Sequence, residues 1–328
     1  MKAKFSNLKD SNSRMILPII FIILSILLLL SGRLITDGLP SWAAFAGILN
    51  QALFISTIAF GEGLVMLTGG LDLSSAGIIG LSATIVALRT TGHPKAIIPS
   101  VLIALLFALI AGFVNGYLIA IWKIPAFIVT LAMNGILGGI TIGLSYGRPA
   151  PPSPDLLNTL FTGAGRLYGI VSPVYFFFLV LLIGFLIQNK SIFGRKVYHL
   201  GSSSNASRIS GLKTNRVEIS VYMISAVGSC LAGLMLLGFS GASELNLGTE
   251  WVMPAISTVL IGGTMIGSGR GFWISTSAAG VFLVSMSLII QTTGVSIGWQ
   301  SVLYGFAILI SLVLTQNKGV LSKIVRKR

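Results

Sequence analysis

Charge is scarce in this 328-residue chain: Asp, Glu, Lys and Arg together make up 9% of it. A water-soluble domain of this length carries roughly 25%. With 54% of residues hydrophobic, no single core can hide the apolar side chains from water, and lipid must act as a second solvent. Cysteine is scarcer still. Cys230 stands alone, which excludes an intrachain disulfide and a thiolate metal centre; it reads as a small buried residue. There are two histidines. His93 precedes Pro94 in a short turn and His199 sits in a basic stretch, so both read as solvated loop residues, not as ligands or bases. The sequence has no His-Glu-x-x-His, no nucleophile with an accompanying base, and no Gly-x-x-x-x-Gly-Lys-[Ser/Thr] loop. These absences argue against a membrane-embedded enzyme and against ATP binding through that loop.

Acids are also few, eight against 22 bases, for a net charge of +14. The bases lie mainly in short loops and at both ends, without the aromatic-interleaved soluble face of a nucleic-acid binder. That distribution is topogenic, and no nucleic-acid partner is expected.

What the chain has in abundance is apolar runs. A helical span needs about 20 such residues. The candidates are Met15–Ser31, Ala43–Leu67, Leu71–Leu88, Ala96–Trp122, Ile124–Tyr146, Pro173–Gln188, Val217–Phe239, Val252–Ile266, Phe272–Ile290 and Ile297–Leu314. The expected fold is therefore all-α: a polytopic integral membrane protein of about ten transmembrane helices, some of them short or broken. The third and eighth runs are short, and the eighth contains Pro254. With the N-terminus inside, 17 bases fall on the inner side and 5 on the outer, which predicts cytoplasmic N and C termini. Lys2, Lys4, Lys9 and Arg14 precede the first run. No small-residue cleavage site follows, so it reads as an uncleaved span. Trp42, Trp122, Trp251, Trp273 and Trp299 fall at span ends and read as interfacial anchors.

These features predict a single transmembrane domain over 1–328. Its parts are a cytoplasmic tail (1–14), an external Pro-rich loop (147–172), a basic cytoplasmic loop (189–216) and a basic cytoplasmic tail (315–328). The external loop reads as a lid or docking surface.

One stretch breaks the apolar pattern: Thr68-Gly69-Gly70-Leu71-Asp72-Leu73-Ser74. Ionisable groups inside apolar segments are costly and point to function. Unwound backbone at membrane depth survives only inside protein or beside a wet cavity. The break is read as part of a solute pathway. Asp72 is expected to cap the third helix by accepting its first free N–H groups. For Glu62, near the centre of the second run, a packing role and a pathway role stand level. Val65–Gly70 is echoed by Val259-Leu260-Ile261-Gly262-Gly263-Thr264, either by chance or as the paired broken helices of a transport site. In the inner loop, Ser202 to Asn205 supply candidate caps and Gly211 can end a short helix. One or two helical turns lying across the membrane face are expected there, with Arg208 directed to the cytoplasm.

Four signatures occur in order: Leu67-Thr68-Gly69-Gly70-Leu71-Asp72-Leu73-Ser74; Gly112-Phe113-Val114-Asn115-Gly116 leading to Lys123-Ile124-Pro125-Ala126-Phe127-Ile128-Val129-Thr130-Leu131; Phe193-Gly194-Arg195 through Arg208-Ile209-Ser210-Gly211; and Pro254-Ala255-Ile256 through Gly262-Gly263-Thr264 with Gly269-Arg270-Gly271. On these the chain, from about Phe45 to Leu314, resembles the permease subunit of bacterial ATP-binding-cassette importers of the ribose/xylose/galactose class. The resemblance implies residence in the bacterial cytoplasmic (inner) membrane beside lipid. The implied partners are a second permease subunit, two cytoplasmic ATPase subunits and an extracytoplasmic solute-binding protein. It implies no cofactor in this chain, since ATP and Mg would be bound by the partner subunits. The coupling element maps to Arg195, Tyr198, Asn205, Ala206, Arg208 and Gly211. The family usually has Ala-Ala-Arg where Ala206-Ser207-Arg208 stands, and position 62 is often uncharged there.

A neutral polyol needs hydroxyl and amide partners more than buried charge. The residues expected at the translocation path or its gate are Glu62, Gly69, Gly70, Asp72, Ser74, Asn115, Thr130 and Asn134. Interhelical hydrogen bonding is the competing role for each polar one. The rival to an ATP-driven importer is an ion-coupled secondary carrier using Glu62 and Asp72. Within the importer class, nucleosides, autoinducer-type sugars and branched-chain amino acids are alternative solutes.

Overall fold

The computed structural model describes residues 2–91 and 93–294, with Gly298, Trp299, Val302, Tyr304, Gly305, Phe306 and Leu309 beyond them. Most of the tenth expected span, Ile297–Leu314, and the whole 315–328 tail lie outside the described residues. Helix α1 (Lys2–Ser31) is followed by α2 (Trp42–Thr68), α3 (Ser75–Thr90), α4 (Ile97–Ala120) and α5 (Ala126–Ser145). A short α6 (Asp155–Phe161) and a two-residue hairpin, β1 (Arg166–Leu167) with β2 (Ile170–Val171), precede α7 (Ser172–Phe185). A π-helical turn over Leu186–Lys190 extends α7. Then come α8 (Ile192–Ser202), α9 (Ser204–Ile209), α10 (Thr214–Ser240), α11 (Thr249–Ile261) and α12 (Trp273–Thr292).

Among the described residues seven helices are long and apolar enough to cross a membrane, and α3 and α11 are shorter apolar helices. Both short helices are continuous, α11 despite Pro254. The centre is formed by α2, α10 and α3, whose Leu53, Phe54, Ile58, Ile79, Leu236 and Leu237 are buried together. By contrast α1, α4, α5 and α7 turn apolar faces outward, among them Ile22, Leu106, Ile136 and Phe178. In water such faces would be unsustainable; in lipid they are the ordinary outer surface.

The cap at Ser41 explains where α2 starts, its Oγ accepting from the Ala44 amide at 3.1 Å. The helix stops at Gly69, which takes a left-handed φ of 100°, a conformation that costs glycine no Cβ clash. Two helices meet closely at α4 and α10. A Cβ on Gly112 would lie 2.7 Å from the Tyr222 carbonyl oxygen, and one on Gly116 would lie 2.7 Å from the Ile219 Cα. This small-x-x-x-small face lets backbones approach where the hydrophobic effect gives no drive between helices.

One expectation needs correcting. Trp273 is not an interfacial anchor. It is 1% exposed, its indole donates to the Leu181 carbonyl at 2.9 Å, and Gly184 leaves the space it fills. The 147–172 loop contains α6 and the hairpin. Helix α6 and the hairpin are tied to the rest by the Asn50 side-chain amide on the Phe161 carbonyl (2.9 Å) and the Ala150 amide on the Ser243 carbonyl (3.0 Å).

Candidate functional site

The break after α2 is held by a buried polar network. The Asp72 Oδ1 accepts from the Ser74 amide at 3.0 Å and from the Ser74 hydroxyl at 2.5 Å. Its Oδ2 accepts the Ser225 hydroxyl at 2.7 Å. Glu62 accepts the Ser75 hydroxyl on Oε1 (3.2 Å) and the Asp72 amide on Oε2 (3.4 Å). Asn115 donates to the Ser74 Oγ at 2.9 Å. On the flank, Thr130 donates to the Leu71 carbonyl (3.2 Å), and the Asn134 Oδ1 accepts the Gly77 amide (2.7 Å). Every carboxyl oxygen of Glu62 and Asp72 thus has an N–H or O–H donor, which is what burial of such groups demands.

Asp72 does not cap α3 as expected. Ser74 is the residue before the helix, and Asp72 sits two positions earlier in an Asx-turn that bonds Ser74. The reason is local: an aspartate bonds most readily to the amide two residues on.

The structure therefore joins Glu62, Asp72, Ser74, Asn115, Thr130 and Asn134 in one region, with Gly69 and Gly70 forming the turn above it. Three further members were not foreseen. Ser75 and Ser225 are donors in it, and the Tyr222 hydroxyl, buried and without a hydrogen-bond partner, stands against Gly70. Ser225 and Tyr222 come from α10, and their only signal was a polar side chain in an apolar run. Glu62, Asp72, Ser74 and Asn115 are at most 1% exposed. Among the described residues no cation pairs with either carboxylate; the ion pair there is Lys123 with Glu218 at 3.7 Å. Nor does any cluster of His, Cys, Asp and Glu among the described residues suit a metal ion.

The coupling candidates lie apart from this network. Ser191 caps α8 through the Gly194 amide (2.9 Å), and Ser203 caps α9 through the Ala206 amide (3.2 Å). Gly211, at φ 82°, turns the chain after α9. Asn205, Ala206 and Arg208 are exposed on α9, and Arg195 is exposed on α8. Tyr198 is tied down instead, donating to the Gly271 carbonyl and accepting from the Gln188 amide, each at 2.8 Å. Gly201 of α8 packs its backbone against the Leu67 carbonyl and Gly269. Helix α8 therefore rests on both glycine-rich breaks at once. Those breaks also meet each other, through the Gly267 amide on the Met66 carbonyl at 2.9 Å.

Among the described residues, seven apolar helices and a buried polar network at the turn between α2 and α3 define a membrane-embedded protein. The chain matches, over residues 44–312, the family described as branched-chain amino acid transport system / permease component, and it belongs to that family. It is 30% identical over 283 residues to the ribose import permease protein RbsC of Bacillus subtilis, covering 85% of this chain and 88% of that one. The RbsC protein of Escherichia coli K12 is 30% identical over 280 residues (83% and 84%). The autoinducer 2 import system permease protein LsrC of Photorhabdus luminescens is 28% identical over 267 residues (81% and 80%). No solved structure matches. The protein is thus the permease subunit of an ABC importer, a multi-pass protein of the bacterial inner membrane, and not itself an enzyme.

Proposed function

We propose that the chain forms one half of the translocation path for a sugar or sugar-like solute, handed over by an external binding protein and driven by two cytoplasmic ATPases. The relatives named for ribose and autoinducer 2 support that solute class. In this reading the whole chain is one transmembrane domain of ten spans with both termini in the cytoplasm. The segments 1–14 and 315–328 are cytoplasmic tails, the 189–216 coupling loop meets the ATPases, and 147–172 faces the binding protein. ATP and Mg belong to the ATPase subunits, and a second permease subunit completes the path.

The observation that carries the reading is the seating of α8. A force applied at α9 reaches α8 through the Ser203 cap. From α8 it reaches the ends of α2 and of the 262–272 loop through Gly201 and Tyr198. ATP closure of the partners does work here only because ATP binds the two conformations with different affinity. The polar network beneath keeps the broken ends registered while they move. The path residues of this reading are Glu62, Gly69, Gly70, Asp72, Ser74, Asn115, Thr130 and Asn134, acting as gate supports from within the subunit wall.

Reconstitution tests it. Proteoliposomes holding the permease, its ATPases and binding protein should concentrate solute with ATP and stop with vanadate. Uphill uptake by the permease alone on a proton or sodium gradient would refute it.

A further inference from the structure

Loop 262–272 ends in a feature that the transport reading leaves unused. Gly263, Gly267 and Gly269 all adopt left-handed φ, at 88°, 64° and 58°. A tight turn closes between them, the Met265 amide donating to the Arg270 carbonyl at 2.9 Å. The chain then enters the 20-residue α12 through Phe272, which is extended and gives no side-chain cap. The first-turn amides of Trp273, Ile274 and Ser275 have no acceptor within the helix. They mark the positive end of its dipole.

A helix start alone would signify little, but a second observation stands beside it. The Ser275 hydroxyl is 1% exposed and has no hydrogen-bond partner. Ser275 lines an open cavity of about 650 Å³. Arg270 lines the same cavity, and none of its lining residues is acidic. Leu17 of α1 lines it as well. From there an apolar strip runs up α1 through Ile20 and Leu24, all exposed. A buried hydroxyl without a partner and an arginine belong to residues lining one cavity at the start of α12, a space large enough for a tetrahedral anion. The wall beside it is suited to an acyl chain.

We propose that this cavity binds a phosphate ester, supplied by the headgroup of an anionic phospholipid of the cytoplasmic leaflet. Arg270 and the Ser275 hydroxyl hold the phosphate, and the α1 strip receives a chain. A basic pocket at the cytoplasmic side of a helix bundle has the charge for such a headgroup. The leaflet rests on the proposed cytoplasmic placement of the loop; the phosphate site does not.

The test uses the purified full-length chain in detergent, native mass spectrometry and titrated phosphatidylglycerol. The wild type should retain one lipid per chain. Arg270→Gln and Ser275→Ala should each weaken retention by about tenfold, the loss of one charge-assisted or buried hydrogen bond. Lys95→Gln, outside the cavity, should not. The lipid should raise the thermal midpoint of the wild type and not that of Arg270→Gln, a substitution of an exposed residue that leaves the core intact. Equal retention by wild type and both variants would overturn the site. Inorganic phosphate that binds and displaces the lipid would overturn the lipid as the source and keep the phosphate. Labelling of Ser268→Cys by an impermeant maleimide from outside intact cells would refute the cytoplasmic placement alone, with retention unchanged.

Discussion

Asp72 and Ser225, 153 positions apart, meet at 2.7 Å, the hydroxyl of α10 donating to the carboxylate of the break. This contact pins the turn between α2 and α3 to the central helix. Ser225→Ala removes one donor and leaves a buried carboxylate oxygen without it, at a cost of about 1–3 kcal/mol. Asp72→Ala strips the Asx-turn as well and should cost more. A thermal midpoint measured on detergent-purified protein checks both. If Ser225→Ala leaves the midpoint unmoved, the contact holds nothing.

Gly70 and Tyr222 make a complementary pair. A Cβ on Gly70 would overlap the Tyr222 hydroxyl, and that hydroxyl has no hydrogen-bond partner. Gly70→Ala should therefore destabilise by about 1–3 kcal/mol through overpacking. Tyr222→Phe alone should be neutral or mildly stabilising, since it deletes an unsatisfied polar atom. The double variant should recover much of the Gly70→Ala loss. A denaturation series on the three variants reads the coupling directly, and additive losses would refute the overlap.

Much of the helix layout is legible in the sequence because its signals are local. Ser41 and Gly69 bracket a long, mainly apolar run, so α2 follows from capping and hydropathy. Ser203 and Gly211 likewise bracket α9. What escapes is non-local. Nothing near Asp72 tells that Ser225 will reach it, because the pairing depends on how α10 crosses α2. Trp273 at a span end reads like any interfacial tryptophan, and only the space left by Gly184 on α7 makes it a core residue. The Pro-rich 147–172 segment hides α6, whose seven residues are too few for periodicity to show. The polar break is legible as important, but its enclosure within the subunit is not, since burial of Glu62 is a property of its neighbours.

Arg208 is exposed on α9, a helix capped by Ser203, and makes no side-chain contact that holds the fold among the described hydrogen bonds and ion pairs. Its removal costs little folding energy, so a charge reversal there isolates a contact with a partner. Arg208→Glu should insert normally and cut ATP-driven uptake by about tenfold or more, as reversal of an interfacial charge does. Membrane fractionation with uptake measured in the same cells checks this. Full uptake with normal ATPase association would remove α9 from the coupling assignment.

Glu62 separates the importer from a carrier. Its two oxygens are occupied by the Ser75 hydroxyl and the Asp72 amide, and among the described residues no cation faces it. A carboxylate that shuttles a proton or sodium ion loses its function as an amide. A carboxylate that only braces a turn keeps an acceptor oxygen as glutamine and pays a modest packing penalty. Glu62→Gln should therefore lower stability by about 1–2 kcal/mol and retain most of the ATP-driven uptake, while vanadate abolishes uptake in both proteins. Uptake by the fully assembled importer that survives vanadate, follows an imposed ion gradient and vanishes in Glu62→Gln would place the energy source in this chain. That pattern would require the buried carboxyl pair to open to water during transport.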